Sequence, residues 1–150
     1  MLAELDIIKV VLVDDDAEDR EFFEEVLSQL PFNVALTQYK NGQEFVDGMV
    51  SNKQAIPDLV FLDLNMPVKN GKEALKELRA MKEFKSIPVI AIYSTSTSEF
   101  DQAETFIAGA DAFISKPSDY RDLKLLISKI FEIDWKRRNS DKRNFVITPL

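Results

Sequence analysis

Two groups of carboxylates in this chain sit where apolar runs end. Ile7-Ile8-Lys9-Val10-Val11-Leu12-Val13 leads into Asp14-Asp15-Asp16, and Leu59-Val60-Phe61-Leu62 leads into Asp63 and then Leu64-Asn65-Met66-Pro67. Short, β-branched, nearly continuous apolar runs have the pattern of strands buried on both faces of a parallel sheet. In open α/β sheets, ligands bind outside the carboxyl ends of the strands. Acids gathered there repel one another unless a positive charge joins them. A hard divalent cation with oxygen ligands, usually Mg²⁺, meets that need. One of the carboxylates is also a candidate nucleophile toward phosphorus. Phosphoryl transfer demands positioning and charge neutralisation, so a cation and a hydroxyl are wanted nearby. Ser94-Thr95-Ser96-Thr97-Ser98 and Lys116 follow two later apolar runs. A lysine ammonium is a compact point charge with three donors, and neighbouring acids keep it protonated. Pro117 biases Lys116 toward extended backbone, so the lysine leaves its strand at the end.

The elements that must position these groups alternate strand and helix five times. Phe22, Phe23, Val26, Leu27 and Leu30 have helical spacing, which stops at Pro31. Residues 33 to 39 read as the second strand. Asn41-Gly42-Gln43-Glu44 is a capping box opening a second helix, and Asn70-Gly71-Lys72-Glu73 another opening the third. Ser51 to Gln54, closed by Pro57, is a loop. Pro88 starts a strand that runs through Tyr93, Ser98 caps the fourth helix, and Gly109 ends it. Ala112 to Ser115 is a short fifth strand, and Ser118 caps a last helix with Leu123, Leu126, Ile127, Ile130 and Phe131 facing inward. Regular βα alternation predicts a doubly wound, five-stranded parallel sheet with helices on both faces. Right-handed crossovers favour the order 2-1-3-4-5. That order places Asp14, Asp15 and Asp63 at one edge.

Composition removes several function classes. At 150 residues one domain is expected, here 7–133, followed by a basic tail over 134–150. The net charge of −7 argues against a nucleic-acid surface. No apolar run approaches a membrane span, and the first residues have no signal-type core, so a cytoplasmic location is expected. Cysteine and histidine are both absent, which excludes thiolate chemistry, His-ligated metals and any histidine phosphorelay within the chain.

The chain resembles a response regulator receiver domain, the phosphorylated half of a two-component system. The resemblance rests on Val11 to Asp15, Pro57 to Pro67 with Gly71, Pro88-Val89-Ile90, Gly109-Ala110 and Lys116-Pro117, in family order and spacing over roughly residues 7 to 133. It implies the flavodoxin-like fold and a stand-alone, single-domain type. It also implies that Asp63 accepts the phosphoryl group and helps hold Mg²⁺. Asp15 is then a direct metal ligand, Asp14 its companion acid, and the backbone carbonyl of Asn65 a further ligand. Ser94 follows the phosphoryl group, Lys116 contacts it, and Phe113 stands at the aromatic switch position. The implied partners are a histidine kinase or phosphotransfer protein and a downstream effector protein. Dimerisation through the face of the fourth helix, fifth strand and fifth helix is a further family option. Such a domain is not an enzyme beyond promoting its own phosphorylation and dephosphorylation.

Plainer readings stand beside these. Asp58 and Asp111 are expected to be turn residues. Asp16, Glu18 and Asp19 are expected to be first-turn acids favoured by the helix dipole, with no further role assigned to Asp16. Phe113 is as well explained as core, Ser96 to Ser98 as loop and cap, and Trp135 as a lid on the last helix. Phe145-Val146-Ile147 is either one more short strand or an exposed contact segment. Two other functions remain open. A Mg²⁺-dependent phosphohydrolase of the haloacid dehalogenase type fits the acid-x-acid pattern of Asp14-Asp15-Asp16, but lacks the following Gly-Thr, a later acid pair and room for a cap domain. A scaffold receiver that is never phosphorylated is the other.

Overall fold

The continuous apolar runs do become interior strands. The computed structural model describes residues 1–52, 55–138 and 141–150; Lys53 and Gln54 of the expected loop, and residues 139 and 140 of the tail, lie outside them. Five strands, β1 (Ile8–Val13), β2 (Val34–Tyr39), β3 (Leu59–Leu62), β4 (Val89–Ser94) and β5 (Ala112–Ser115), form a parallel sheet in the order β2-β1-β3-β4-β5. The helices between them are α1 (Ala17–Ser28), α2 (Gly42–Ser51), α3 (Gly71–Ala80), α4 (Glu99–Ile107) and α5 (Tyr120–Glu132).

Side chains alternate across the sheet and build two cores. Val10, Leu12, Leu59, Phe61, Ala91, Tyr93 and Ile114 pack with α1 and α5 on one face. Val11, Val13, Val60, Leu62, Ile90, Ile92 and Phe113 pack with α2 and α3 on the other. Every residue of β3 is buried, as a central parallel strand requires. On the first face the rings of Phe23, Phe61 and Tyr93 meet edge to face at 4.9 to 5.8 Å.

The helix starts follow the side chains that satisfy their first N–H groups. Asn70 makes the expected capping box, accepting from Glu73 N while Glu73 accepts from Asn70 N. Asn41 accepts from Glu44 N, but the Glu44 carboxylate turns back one residue further, to Lys40 N. Ser98 caps α4. Other expectations change too. Asp119, not Ser118, caps α5, taking Asp122 N at 2.8 Å. Asp16 has a definite role, capping α1 through Glu18 N at 2.9 Å and Asp19 N at 3.2 Å.

The amino edge of the sheet carries its own polar joints. Asp58 accepts from Lys9 N, which ties the start of β3 to β1. Asp111 is more than a turn residue: it accepts from Ile90 N and pairs with Arg79. The Trp135 indole donates to Ile130 O and rests on the α1–α5 core, as a lid on α5 should. Among the described residues, no helix is long and apolar enough to cross a membrane.

Candidate functional site

Sheet hydrogen bonds continue one step past the strands and fix where the functional residues leave the sheet. Asp14 N donates to Tyr39 O, Asp63 N to Val13 O and Lys116 N to Ser94 O, at 2.8 to 3.0 Å. The backbones of Asp14, Asp63 and Lys116 are therefore held at the carboxyl edge of β1, β3 and β5. Carboxylate oxygens of Asp14, Asp15 and Asp63 lie within 4.8 Å of one another. Asp14 is fully buried and Asp63 is 6% exposed, whereas Asp15 is exposed.

Lys116 stands among these acids. Its ammonium donates to Asp14 Oδ2 at 2.7 Å, Asp19 Oδ2 at 2.9 Å and Asp63 Oδ2 at 3.3 Å, and lies 5.5 Å from the Tyr93 ring centre. Asp19 is thus not only a dipole-favoured acid; it is a third anion on the lysine. The second carboxylate oxygens of Asp14 and Asp63 are also engaged. Asp14 Oδ1 accepts from Asp16 N and Asp63 Oδ1 from Leu64 N, while Arg20 clasps the Asp14 carbonyl.

Burial sets the protonation behaviour. It pushes the Asp63 carboxyl up to about 6; Lys116 works against that rise and Asp14 adds to it. Asp14 is raised mainly by burial too, with Lys116 and the Asp16 N–H opposing. Burial works against the charge of Lys116, yet its bonds to Asp14 and Asp19 hold it above the ordinary lysine range. The pocket contains three clustered carboxylates and Asp19 against one ammonium, an excess of negative charge that suits a divalent cation.

The loop after Asp63 has little freedom. A Cβ placed on Gly71 would fall 2.1 Å from the Asp63 carbonyl oxygen, so glycine is required for α3 to start this close to the site. Val68, 81% exposed, has a φ of 68° in a tight turn closed by Lys69 N donating to Pro67 O. A β-branched residue is strained there. Val68→Gly is therefore expected to stabilise the fold by about 1 kcal/mol, read as a raised urea midpoint with unchanged slope.

Ser94 ends β4 fully buried, its Oγ accepting from Ser96 N. Ser96 Oγ donates to Asp101 and accepts from Ser98 N, so it is loop and cap as expected. Phe113 is fully buried in the middle of β5. Asp19 is the one residue of this cluster that the chain's local pattern does not reveal.

Comparison with known proteins gives this arrangement its family. The family model for the response regulator receiver domain matches residues 10–128. The chain belongs to the response regulator receiver domain family. It is 34% identical over 128 residues to chemotaxis protein CheY-3 of Vibrio cholerae, covering 83% of this chain and 92% of that one. It is 37% identical over 115 residues to the protein-glutamate methylesterase/protein-glutamine glutaminase of Geobacillus kaustophilus, covering 74% of this chain but only 30% of that protein. The chain thus spans less than a third of the methylesterase and nearly all of CheY-3. The solved structure of the phosphorylated cyanobacterial phytochrome response regulator RcpA superposes with a TM-score of 0.74 at 25% identity, covering 87% of this chain and 94% of that one. The fold is that of these receivers, five parallel strands in the order 2-1-3-4-5. The haloacid dehalogenase-type alternative finds no support in these matches.

Proposed function

We propose that this receiver is a phosphorylation-controlled signalling switch whose phospho-acceptor is Asp63. The observation that carries it is the pocket itself: a nearly buried carboxylate at the end of β3, facing a lysine ammonium and two further acids that fit a divalent cation. The solved relative RcpA is described as phosphorylated, which favours the same chemistry here.

Histidine is absent from the chain, so the donor is external: a histidine kinase, a phosphotransfer protein or a small phosphoramidate. A carboxylate oxygen of Asp63 forms a bond to phosphorus as the donor's N–P bond breaks, and the departing nitrogen, as imidazole or ammonia, takes a proton. Lys116 is placed to meet the negative charge on the phosphoryl oxygens. Asp14, Asp15, Asp63 and the Asn65 carbonyl would hold Mg²⁺, which supplies charge neutralisation and orientation. The transfer makes an acyl phosphate on the protein itself rather than a released product, so the output is a changed surface read by another protein. The receiver unit is assigned to residues 7–133. Ser94 and Phe113 are assigned the role of following the phosphoryl group, and the face of α4, β5 and α5, with residues 145–147 seated on its β5 edge, that of passing the signal to an effector or a second copy.

The test is incubation with Mg²⁺ and acetyl phosphate or phosphoramidate, followed by intact-mass measurement. One phosphoryl group is expected, absent in Asp63→Asn and after chelation. Rapid turnover of phosphate esters would replace this reading with a hydrolase, and no adduct under any condition would replace it with a scaffold.

A further inference from the structure

The segment after α5 lies outside the region matched to the receiver family, yet it is built onto the sheet. Phe113 N donates to Phe145 O at 2.9 Å and Ile147 N donates to Phe113 O at 3.0 Å, so Val146 bridges β5 in parallel, beyond the edge of the five strands. The segment straddles that edge. Phe145, 3% exposed, enters the α2–α3 core, meeting Phe106 of α4 at 5.2 Å and Phe113 at 6.3 Å. Ile147, 6% exposed, enters the α1–α5 core. Lys129 of α5 donates to the Thr148 carbonyl and to a main-chain oxygen of Leu150, both at 3.1 Å, and Arg138 donates to the Asn144 carbonyl. An isolated contact segment would show none of this.

The position it grips is the informative part. β5 is only four residues long, and Lys116 follows it directly. The strand is thus held at Phe113 by the segment and, three residues on, by an ammonium bound to Asp14, Asp19 and Asp63. We propose that the segment around residues 145–147 is a regulatory sixth strand whose docking on β5 is coupled to occupancy of the acid pocket. This rests on the phospho-acceptor reading above. The coupling is positive. A seated segment keeps Phe113 enclosed and β5 against β4, which presents Lys116 to the phosphoryl site before the ligand arrives. By reciprocity, a phosphoryl-like group that fixes Lys116 fixes β5 and tightens the segment.

The full chain is tested with beryllofluoride and Mg²⁺, observing backbone amides by NMR. Ligand binding is read at the amides of Asp63 and Leu64, and docking as hydrogen exchange at Ile147 and Phe113. Exchange at both is expected to slow at least about fivefold on binding, the lower range of a typical coupling. Ile147→Pro, which removes the N–H given to Phe113, and Phe145→Ala are each expected to weaken beryllofluoride binding about fivefold or more. Binding at Asp63 with unchanged exchange at Ile147, or with unaltered affinity in both variants, overturns the coupling and leaves the phospho-acceptor reading intact. Failure of beryllofluoride to bind at Asp63 overturns both. If a variant does not fold, exchange in the unaltered chain still decides.

Discussion

Lys116→Met is expected to destabilise the fold by about 3–5 kcal/mol at pH 8, and by much less at pH 5. The lysine side chain is 9% exposed, and removing it leaves Asp14 and Asp63, 0% and 8% exposed at the side chain, facing each other without a counter-charge. Two responses are open to the pocket: to unfold more easily, or to take up protons. The second sets the pH dependence. The carboxyl of Asp63 is already raised to about 6 by burial, against 3.8 when free. A native state that binds more protons than the unfolded one loses stability as pH rises between those two values. Without Lys116 both carboxyls rise further, and the loss extends to higher pH. Denaturation midpoints at pH 5 and pH 8 test this; an equal deficit at both would show that the lysine acts by packing rather than by charge. Asp63→Asn removes the offending charge and should do the reverse, stabilising the fold at pH 8 on the order of 2 kcal/mol.

The uneven legibility of this site has a physical basis. Asp14 and Asp63 announce themselves because each ends an apolar run, and a buried parallel strand has a pattern that is hard to mistake. The sheet order follows from βα alternation and crossover handedness, and the structure has that order. Asn70 and Ser98 are readable as caps because the helix follows at fixed spacing. Asp19 is not readable. An acid in the first turn of a helix already has a local explanation in the helix dipole, and its partner lies 97 residues away. The segment around Phe145 is ambiguous in sequence for a similar reason. Its neighbours are basic and polar, and the only cue to burial is two large apolar residues, whose sockets are supplied by α4, β5 and α5. Pairing across long separation is invisible to periodicity, which sees only the nearest turn or strand.

Arg79→Met is expected to cost the fold about 3 kcal/mol while leaving phosphorylation of Asp63 nearly unchanged in the surviving folded protein. The Arg79 side chain is 8% exposed at the end of α3. Its Nε donates to Gly109 O at 2.9 Å, Nη1 to Phe84 O at 2.9 Å, and Nη2 to Pro88 O at 3.1 Å and Asp111 Oδ2 at 2.9 Å. One planar fork thereby joins α3, the short turn after it, the entry to β4 and the turn before β5. Gly109 belongs to this joint: it ends α4 with a φ of 102°, and a Cβ there would stand 3.1 Å from the Arg79 side chain. Methionine fills similar volume but leaves three carbonyls and the partly exposed Asp111 carboxylate without the guanidinium, and Arg79→Lys cannot span the four acceptors. Urea unfolding should therefore rank methionine and lysine together, well below the parent. A lysine variant as stable as the parent would show that the charge matters and the fork does not. The separation of effects follows from the sheet being parallel. Every strand enters at the edge that Arg79 and Asp111 secure and leaves at the edge where Asp14, Asp63 and Lys116 meet. The chemistry at one edge rests on strands anchored at the other, so losing the anchor lowers how often the domain is folded, not what the folded domain does.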